Sequence, residues 1–281
     1  MRNEKLFVSL WAIMDYTLNL QGHLMDLNEP QVMGILNVTP DSFYAGSRKQ
    51  TEAEIVERCH QIVNEGGTII DVGACSTRPG AEVASEAEEM ERLRFALAVV
   101  RREFPHTALS VDTFRPDVAR MTVEEFGADI INDVSEGTLE MFRMVARLGV
   151  PYILMSVQPT MRDTLLAFAQ KVQQLRDFGA KDIILDPGFG FGKDLEQNFQ
   201  IMNELEHLQA MELPLLVGVS RKSMIYKLLG CTPDDALNGT TILNTIALMK
   251  GADILRVHDV REAVECISIV QQLNRKMSNR K

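Results

Sequence analysis

Carboxylate and amide side chains follow several of the short apolar segments in this 281-residue chain. Asp112, Asn132 and Asp186 each lie at or next to the end of such a segment. Their oxygens accept hydrogen bonds, so together they could hold a flat heterocycle rich in N–H donors. A single Asp or Asn in this place often only caps the next helix or forms a turn. A cluster of polar groups without a ligand would be costly, however, because each group loses water.

Cationic side chains occupy comparable positions. Arg256 and His258 are two residues apart on an extended segment, so their side chains are predicted to point to the same side. Asn37, after the first segment, offers an oxygen to a Mg²⁺ ion, which commonly takes few protein ligands and keeps several waters. The side chains that we interpret as cationic donors for an anion such as pyrophosphate are Arg78, Arg221, Arg256 and His258.

Eight apolar segments would position these groups. They lack polar alternation, which is typical of strands buried on both faces of a parallel sheet. Amphipathic stretches separate them, and eight β–α units predict a (β/α)8 barrel, whose polar residues meet where the strands end. The alternative, an open doubly wound sheet, usually has fewer strands and a glycine fingerprint after the first. The predicted strands are 32–38, 68–73, 108–112, 128–133, 151–156, 182–186, 214–220 and 252–258.

The boundaries of several elements also have sequence signals. Thr51 and Ser85 are predicted N-caps because a glutamate follows each of them three residues later. Gly66 and Gly127 are predicted to end helices. Residues 16–27 alternate around a Gln-Gly pair, which predicts a hairpin that closes the bottom of the barrel.

Residues 15–281 are predicted to form a single domain, since no repeat or linker interrupts the pattern. Residues 1–14 are treated as an N-terminal extension, and a start at Met14 instead of Met1 stays open. The apolar run 6–14 is not followed by a small-residue cleavage site, and no segment approaches the ~20 apolar residues of a membrane span.

Composition narrows the classes of partner. A net charge of −10 argues against a nucleic-acid surface, which would need a basic stripe. Cys59, Cys75, Cys231 and Cys266 are scattered without metal-like spacing, which indicates reduced thiols in a cytoplasmic protein.

The glycine-rich stretch DPGFGFGK (186–193) is not a standard nucleotide loop. A Walker loop would need glycine where Pro187 lies and Ser or Thr where Asp194 lies. A dinucleotide fingerprint would need a third glycine at Lys193.

Seven motifs, in order, resemble the dihydropteroate synthase family: MGILNVTPDSF, STRPGA, SVDT, IND, DPGFGFGK, VGVSRKSM and ILRVHDV. The resemblance runs from about residue 31 to 260 and covers most of the chain. It implies a transferase of folate biosynthesis that joins 6-hydroxymethyl-7,8-dihydropterin pyrophosphate to p-aminobenzoate and releases pyrophosphate. It also implies a (β/α)8 barrel, Mg²⁺, a homodimer and a sulfonamide target.

The resemblance also implies roles for individual residues. The catalytic group would be Lys222, Arg256, Asp112 and Asp186. The pterin would contact Asp112, Asn132, Met155, Asp186, Lys222 and Arg256. Pyrophosphate would contact Asn37, Thr77, Arg78, Arg256 and His258, with Asn37 also on the metal. The p-aminobenzoate would contact Thr77, Arg78, Pro79, Phe191, Lys222 and Ser223.

Three segments differ from the sequence that is most common in the family. Ala45 replaces an acidic residue of the first loop, so Asp41 or solvent would have to compensate, and Cys75 replaces a glutamate before STRPG. The fifth strand ends LMSVQPT, although Met155 and Gln158 are retained. Two alternatives therefore stay open: a corrinoid methyltransferase-like barrel that binds a pterin, and a non-catalytic pterin-binding paralogue.

Overall fold

The structure, a computed structural model, describes residues 16–38, 48–75 and 84–278. It begins with an antiparallel hairpin of β1 (Thr17–Leu20) and β2 (His23–Asp26). Gln21 and Gly22, which join the two strands, both have positive φ. The predicted hairpin is thereby confirmed, while the predicted extension, residues 1–14, lies outside the described residues.

Eight further strands run parallel to one another in a single sheet. Along the sheet their order is β8-β7-β6-β5-β4-β3-β10-β9, and a parallel bridge between Leu185 and Leu215 brings the two edges together. The predicted (β/α)8 barrel is confirmed, since an open sheet would leave these edges apart. The strands are β3 (Gln31–Asn37), β4 (Ile69–Gly73), β5 (Ala108–Asp112), β6 (Ile130–Asp133), β7 (Tyr152–Met155), β8 (Ile183–Asp186), β9 (Leu216–Val217) and β10 (Ile254–Val257).

Several strands are shorter than predicted, and β9 differs most. β9 has two residues, whereas the apolar run 214–220 predicted seven. Pro214 has no N–H for a strand ladder, and a turn in which the Lys222 N–H donates to the Val219 carbonyl ends the extended backbone. The predicted range was therefore wrong at both ends.

Helices follow the strands and cover the outside of the barrel. The helices are α1 (Arg48–Asn64), α2 (Glu86–Glu103), α3 (Pro116–Phe126), α4 (Leu139–Leu148), α5 (Met161–Asp177), α6 (Leu195–Asn203), a 3-10 helix (Leu205–Met211), α7 (Ser223–Leu229), α8 (Leu237–Met249) and α9 (Val260–Ser278).

The helix ends test the capping predictions. Ser85 accepts a hydrogen bond from the Glu88 N–H, and the Glu88 carboxylate accepts from the Ser85 N–H, which confirms the predicted capping box of α2. Gly127 ends α3 with φ +62°, and Gly66, with φ +96°, follows the end of α1, as predicted. Thr51 is not an N-cap: α1 begins three residues earlier, which leaves Thr51 buried within the helix.

Alternation along the strands divides the core in two. Outward side chains pack under the helices, while inward side chains at the start of each strand form a separate apolar layer inside the barrel. Leu18, Leu20 and Leu27 of the hairpin pack against this inner layer. The hairpin therefore fills the N-terminal end of the barrel. Inner-layer residues from the strands are Met33, Ile69, Ala108, Ile130, Ile153, Ile184, Leu216 and Ile254.

Within the described ranges, no helix is both long and apolar enough to cross a membrane.

Candidate active site

The next inward positions on the strands, above the apolar layer, are mostly polar. Two residues after Ile69 comes Asp71, two after Ala108 comes Ser110, and two after Ile254 comes Arg256. Because inward side chains recur at every second residue of a strand, these groups lie on the barrel interior toward the C-terminal mouth. The inward groups of this level include Asp71, Ser110, Asn132, Met155, Asp186 and Arg256.

The Arg256 guanidinium is the centre of this polar level. Its Nε donates to Asp71 Oδ2 at 2.7 Å, and its Nη2 donates to Asp112 Oδ2 at 2.8 Å. The Asp71 side chain is fully buried, and the side chains of Arg256 and Asp112 are 16% and 12% exposed. One cation on β10 therefore joins two carboxyl groups from the neighbouring strands β4 and β5.

Two carboxyl groups around one cation affect each other's protonation. Burial raises the pKa of Asp112 to about 7, against the opposing effect of Arg256 and with the help of Asp71. Burial alone would lower the pKa of Arg256, but Asp71 and Asp112 raise it above its ordinary value. Arg256 is thus permanently charged, while Asp112 is able to hold a proton near neutral pH.

Asp71 and Ser110 are site residues that the sequence analysis did not assign. Asp71 accepts from Ser110 Oγ at 2.6 Å and from Asn132 Nδ2 at 3.2 Å. A carboxylate in the middle of the apolar run TIIDVG was the available signal, since a buried charge requires a partner.

Asn132 and Asp186 supply the remaining acceptors that were predicted. Asn132 Oδ1 is buried and has no hydrogen-bond partner among the described residues. Asp186 Oδ1 accepts from the Gly188 N–H at 2.7 Å, and burial raises the pKa of Asp186 against the opposing effect of Lys222. A buried amide oxygen without a partner is costly to the free protein, so it fits a site that a ligand's N–H group completes.

Lys222 follows β9, next to β8 and its loop, and immediately precedes α7. Its ammonium donates to the Phe189 carbonyl and lies 4.6 Å from the centre of the Phe191 ring. Burial lowers the pKa of Lys222 to about 8, and Asp186 opposes this shift. The predicted neighbourhood of Asp186, Phe191 and Lys222 is therefore present in the structure.

The two phenylalanines of the glycine-rich loop differ in exposure. Phe189 is completely buried and belongs to the core under the helices, whereas Phe191 is half-buried at the mouth. Phe191 is thus the ring that can form a wall for a ligand. Met155, at the end of β7, is buried on the inward side, and Ser223 is half-buried at the first position of α7.

His258 and Arg221 do not have the electrostatic character that the sequence suggested. Burial, followed by the charge of Arg256, lowers the pKa of His258 to about 4, so the imidazole is neutral near pH 7. Its Nδ1 lies 3.0 Å from Ser220 Oγ. The Arg221 guanidinium forms two hydrogen bonds with Asp259, at 2.7 and 2.9 Å, so it is already paired. Arg221 is therefore a cation that already has a partner, and His258 is neutral in the free protein, while their binding of an anion stays a prediction.

Asn37 ends β3 at the mouth, where its side chain is exposed. A Cβ built on Gly73 would lie 3.7 Å from Asn37 Oδ1 and 3.5 Å from Asp112 Cβ, so both residues flank this glycine. No group of three or more His, Cys, Asp or Glu side chains that could hold a metal occurs in the part of the chain that the structure describes. A single exposed amide oxygen nevertheless fits Mg²⁺, which keeps most of its waters.

Several predicted residues lie outside the described ranges, namely Asp41, Ala45, Thr77, Arg78 and Pro79. The backbone on either side of residues 76–83 is held by arginines. Arg92 donates to the Ala74 carbonyl at 3.2 Å, and Arg115, which also pairs with the buried Glu89, donates to the Ala84 carbonyl at 2.6 Å. Cys75 is a half-buried free thiol.

Comparison with known proteins agrees with this geometry. The pterin binding enzyme family matches residues 33–258. A dihydropteroate synthase of Escherichia coli is 42% identical over 270 residues, covering 89% of this chain and 94% of the relative. One from Clostridium beijerinckii is 39% identical over 242 residues, covering 82% and 89%.

Solved structures agree as well. A Xanthomonas albilineans dihydropteroate synthase with 4-aminobenzoic acid has a TM-score of 0.84 and 34% identity, covering 92% of this chain and 98% of that one. A Yersinia pestis dihydropteroate synthase with a sulfonamide drug has a TM-score of 0.85 and 37% identity, covering 93% and 100%. These relatives are dihydropteroate synthases. They therefore support the family resemblance over the two alternatives, a corrinoid methyltransferase-like barrel and a non-catalytic pterin-binding paralogue.

Proposed function

Since this chain belongs to the pterin-binding enzymes, and among them to the dihydropteroate synthases, we propose that its barrel mouth joins a pterin to p-aminobenzoate. The substrates are 6-hydroxymethyl-7,8-dihydropterin pyrophosphate and p-aminobenzoate, and the products are 7,8-dihydropteroate and pyrophosphate. The observation that carries this proposal is the largely buried polar cluster of Asp71, Asp112, Asn132, Asp186 and Arg256 above the apolar layer inside the barrel.

The pterin binds against this cluster. Its 2-amino group and ring N–H groups are donors that suit the oxygens of Asp112, Asn132 and Asp186, and the unpartnered Asn132 Oδ1 supports this orientation. Met155 and Arg256 pack on the ring faces, with Asp71 and Ser110 fixing Arg256 from below.

The reaction breaks the bond between the pterin methylene carbon and the pyrophosphate oxygen, whose electron pair leaves with pyrophosphate. The amine nitrogen forms the new bond to the methylene carbon and loses one proton, which passes to the released pyrophosphate or to water. Negative charge develops on the leaving oxygen and positive charge on the methylene, which favours a dissociative, carbocation-like displacement. Arg256 stabilises the leaving group, while Asp112 and Asp186 anchor the ring.

His258 assists as a hydrogen-bond donor to the pyrophosphate. Its low pKa in the free protein means that an anion in the mouth must either accept a hydrogen bond from the imidazole or raise its pKa by its own charge. Asn37 completes the pyrophosphate side of the mouth.

The p-aminobenzoate lies against Phe191 and Lys222, with Ser223 at the start of α7. The 4.6 Å separation of the Lys222 ammonium from the Phe191 ring supports an apolar wall beside a cation, which suits an aromatic carboxylate. Thr77, Arg78 and Pro79 are expected to complete this subsite. Sulfonamides, one of which is bound in the Yersinia pestis structure, should compete with p-aminobenzoate here.

Mg²⁺ would be held by Asn37, and when bound it would neutralise part of the pyrophosphate charge. Asn37 contributes one oxygen at the exposed rim, next to Asp112 across Gly73, where the anion would approach.

The protein is expected to be a cytoplasmic homodimer. Exposed apolar side chains on α7 and α8, Leu228, Leu229, Ile242 and Met249, form a surface that a second copy could cover. Free thiols at all four cysteines suit a reducing compartment.

The first experiment measures pyrophosphate release by the purified protein with the pterin pyrophosphate and Mg²⁺, with and without p-aminobenzoate. We expect release that requires p-aminobenzoate and falls by roughly a hundredfold or more in Lys222→Ala, because a group that contacts both substrates is lost. Lys250→Ala, which removes a lysine bonded to Asn203 and Glu206 beyond α8, is the matched control and should keep activity. Tight pterin binding without release would instead identify a non-catalytic binding protein.

A further inference from the structure

The Lys193 ammonium is bound by three backbone carbonyls. It donates to Ser156 at 2.9 Å, to Gly188 at 3.2 Å and to Phe191 at 3.4 Å. A lysine has three N–H donors, so all of them are used. The lysine that ends DPGFGFGK is therefore not available to a phosphate; it binds the loop to which it belongs.

This loop lies directly on the neighbouring loop after β7. A Cβ on Gly188 would overlap the Ser156 carbonyl oxygen, and a Cβ on Gly192 would lie 3.1 Å from the Val157 Cβ and carbonyl oxygen. Gly188, Gly190 and Gly192 have φ values of +67°, +80° and +62°. Positive φ at alternate residues turns successive carbonyls of the loop in different directions. Residues other than glycine would adopt this backbone conformation only with strain.

The same loop gives carbonyls to two lysines. Gly188 and Phe191 face Lys193, while the Phe189 carbonyl faces Lys222. The Phe191 residue therefore has its carbonyl on Lys193 and its ring beside Lys222. If the Lys193 ammonium moved, the glycine-rich loop would move with it, and the Phe191 ring and the Lys222 ammonium would shift together.

The charges around Lys193 match this structural role. Burial lowers its pKa to about 8, while Asp186 and Glu136 oppose the shift. Glu136 itself accepts from the Gln158 side chain at 3.1 Å and from the Val157 N–H at 3.4 Å, so it also holds the loop after β7. Lys193 thus joins two loops that lack any other side-chain bridge of this kind among the described residues.

We propose that Lys193 is a positioning residue for p-aminobenzoate: by holding the glycine-rich loop on residues 156–157, it sets the distance between Phe191 and Lys222. This inference rests on the proposed function, because it assumes that p-aminobenzoate lies against these two side chains. The pterin should be affected less: Asp112, Asn132 and Arg256 are held by contacts that do not involve Lys193, and only Asp186 and Lys222 among its predicted polar contacts touch the glycine-rich loop.

The test compares Lys193→Met with Lys250→Met by steady-state kinetics in both substrates. Lys250 is a matched control because its ammonium also binds a backbone carbonyl, that of Asn203, at 2.8 Å, but beyond α8. We expect Lys193→Met to raise the KM for p-aminobenzoate by roughly tenfold to a hundredfold, as a wall displaced by about an ångström would. The KM for the pterin pyrophosphate should change by less than about threefold. Lys193→Arg should restore part of the loss because it keeps the charge.

The outcomes separate the two hypotheses. If the unmodified protein forms no dihydropteroate, the proposed function fails and the kinetic comparison is replaced by binding of p-aminobenzoate to the pterin-loaded protein. If it is active and Lys193→Met has an unchanged KM for p-aminobenzoate, or raises both KM values equally, the inference about Lys193 is overturned. Should Lys193→Met fail to fold, Lys193→Gln, whose amide retains two donors, takes its place with the same criterion.

Discussion

Single side chains determine how the barrel mouth balances its charges. Asp71, Asp112 and Asp186 lie around Arg256 and Lys222, so the three carboxyl groups outnumber the two cations. Burial raises the pKa of Asp112 to about 7, and the neighbouring Asp71 adds to this shift. Arg256 opposes the shift and stays charged. A ligand that brings N–H donors to the carboxyl groups relieves part of the imbalance.

Asp71→Asn should lower kcat/KM for the pterin pyrophosphate by roughly tenfold or more, since Arg256 would lose one of the two carboxylates that orient it. Steady-state kinetics with circular dichroism as a check of folding measures this. Asp129→Asn is the matched control: Asp129 also pairs with an arginine, Arg101, at 2.8 Å, but it lies before β6, at the other end of the barrel. Equal losses in the two variants would show that Asp71 acts on stability alone.

The sequence identified the residues at strand ends much better than those within strands. Asp112, Asn132, Asp186 and Arg256 converge as predicted, because parallel strands bring their carboxyl ends to one mouth. Asp71 and Ser110 were missed because they lie inside apolar runs. The directions of long side chains could not be predicted: Arg221, for example, turns to Asp259 through a backbone with φ +54°, a conformation that no residue type in this stretch signals.

At the scale of elements, the loops after β7 and β8 act as one packed unit. Their contact is direct, with Gly188 against Ser156 and Gly192 against Val157. The sequence predicted the strands on either side because they are continuous apolar runs. It could not predict the contact between loops or the short β9, since both depend on which chain segments meet in three dimensions.

Gly188→Ala should destabilise the protein more than Gly179→Ala does. Both glycines have positive φ, +67° and +94°, so each alanine has a backbone cost of about 1 kcal/mol. A Cβ at Gly179 would meet nothing within 4 Å, whereas one at Gly188 would overlap the Ser156 carbonyl oxygen. We therefore expect a loss of about 3 kcal/mol or more for Gly188→Ala. Urea unfolding of the two variants measures the difference, and similar losses would mean that the loop contact is loose.

At the scale of the whole molecule, one titrating group lies far from the mouth. Asp253, just before β10, accepts from the Leu215 N–H at 2.8 Å, and burial raises its pKa to about 7. In the unfolded chain an aspartate has a pKa of about 3.9. Between about pH 4 and 7, therefore, the unfolded chain releases a proton that the folded protein retains, so this group makes the fold less stable as pH rises through that window.

Asp253→Asn removes that titration while keeping an oxygen for the Leu215 N–H. Relative to the unmodified protein, the variant should gain roughly 4 kcal/mol at pH 8 and roughly 1 kcal/mol at pH 4.5. Chemical unfolding at the two pH values measures the free energy of unfolding directly. A gain of the same size at both would show that the carboxyl group does not titrate differently in the folded protein.

The hairpin of β1 and β2 fills the N-terminal end of the barrel, so the polar level is the floor of a blind passage. Asn132 and Asp186 lie near that floor, and Phe191 and Ser223 lie nearer the opening. The two substrates can enter such a passage only one after the other. The pterin therefore has to bind before the aminobenzoate, and an aminobenzoate that binds first blocks the path of the pterin. The blind passage thus sets the order in which the substrates bind, and an excess of aminobenzoate slows the binding of the pterin.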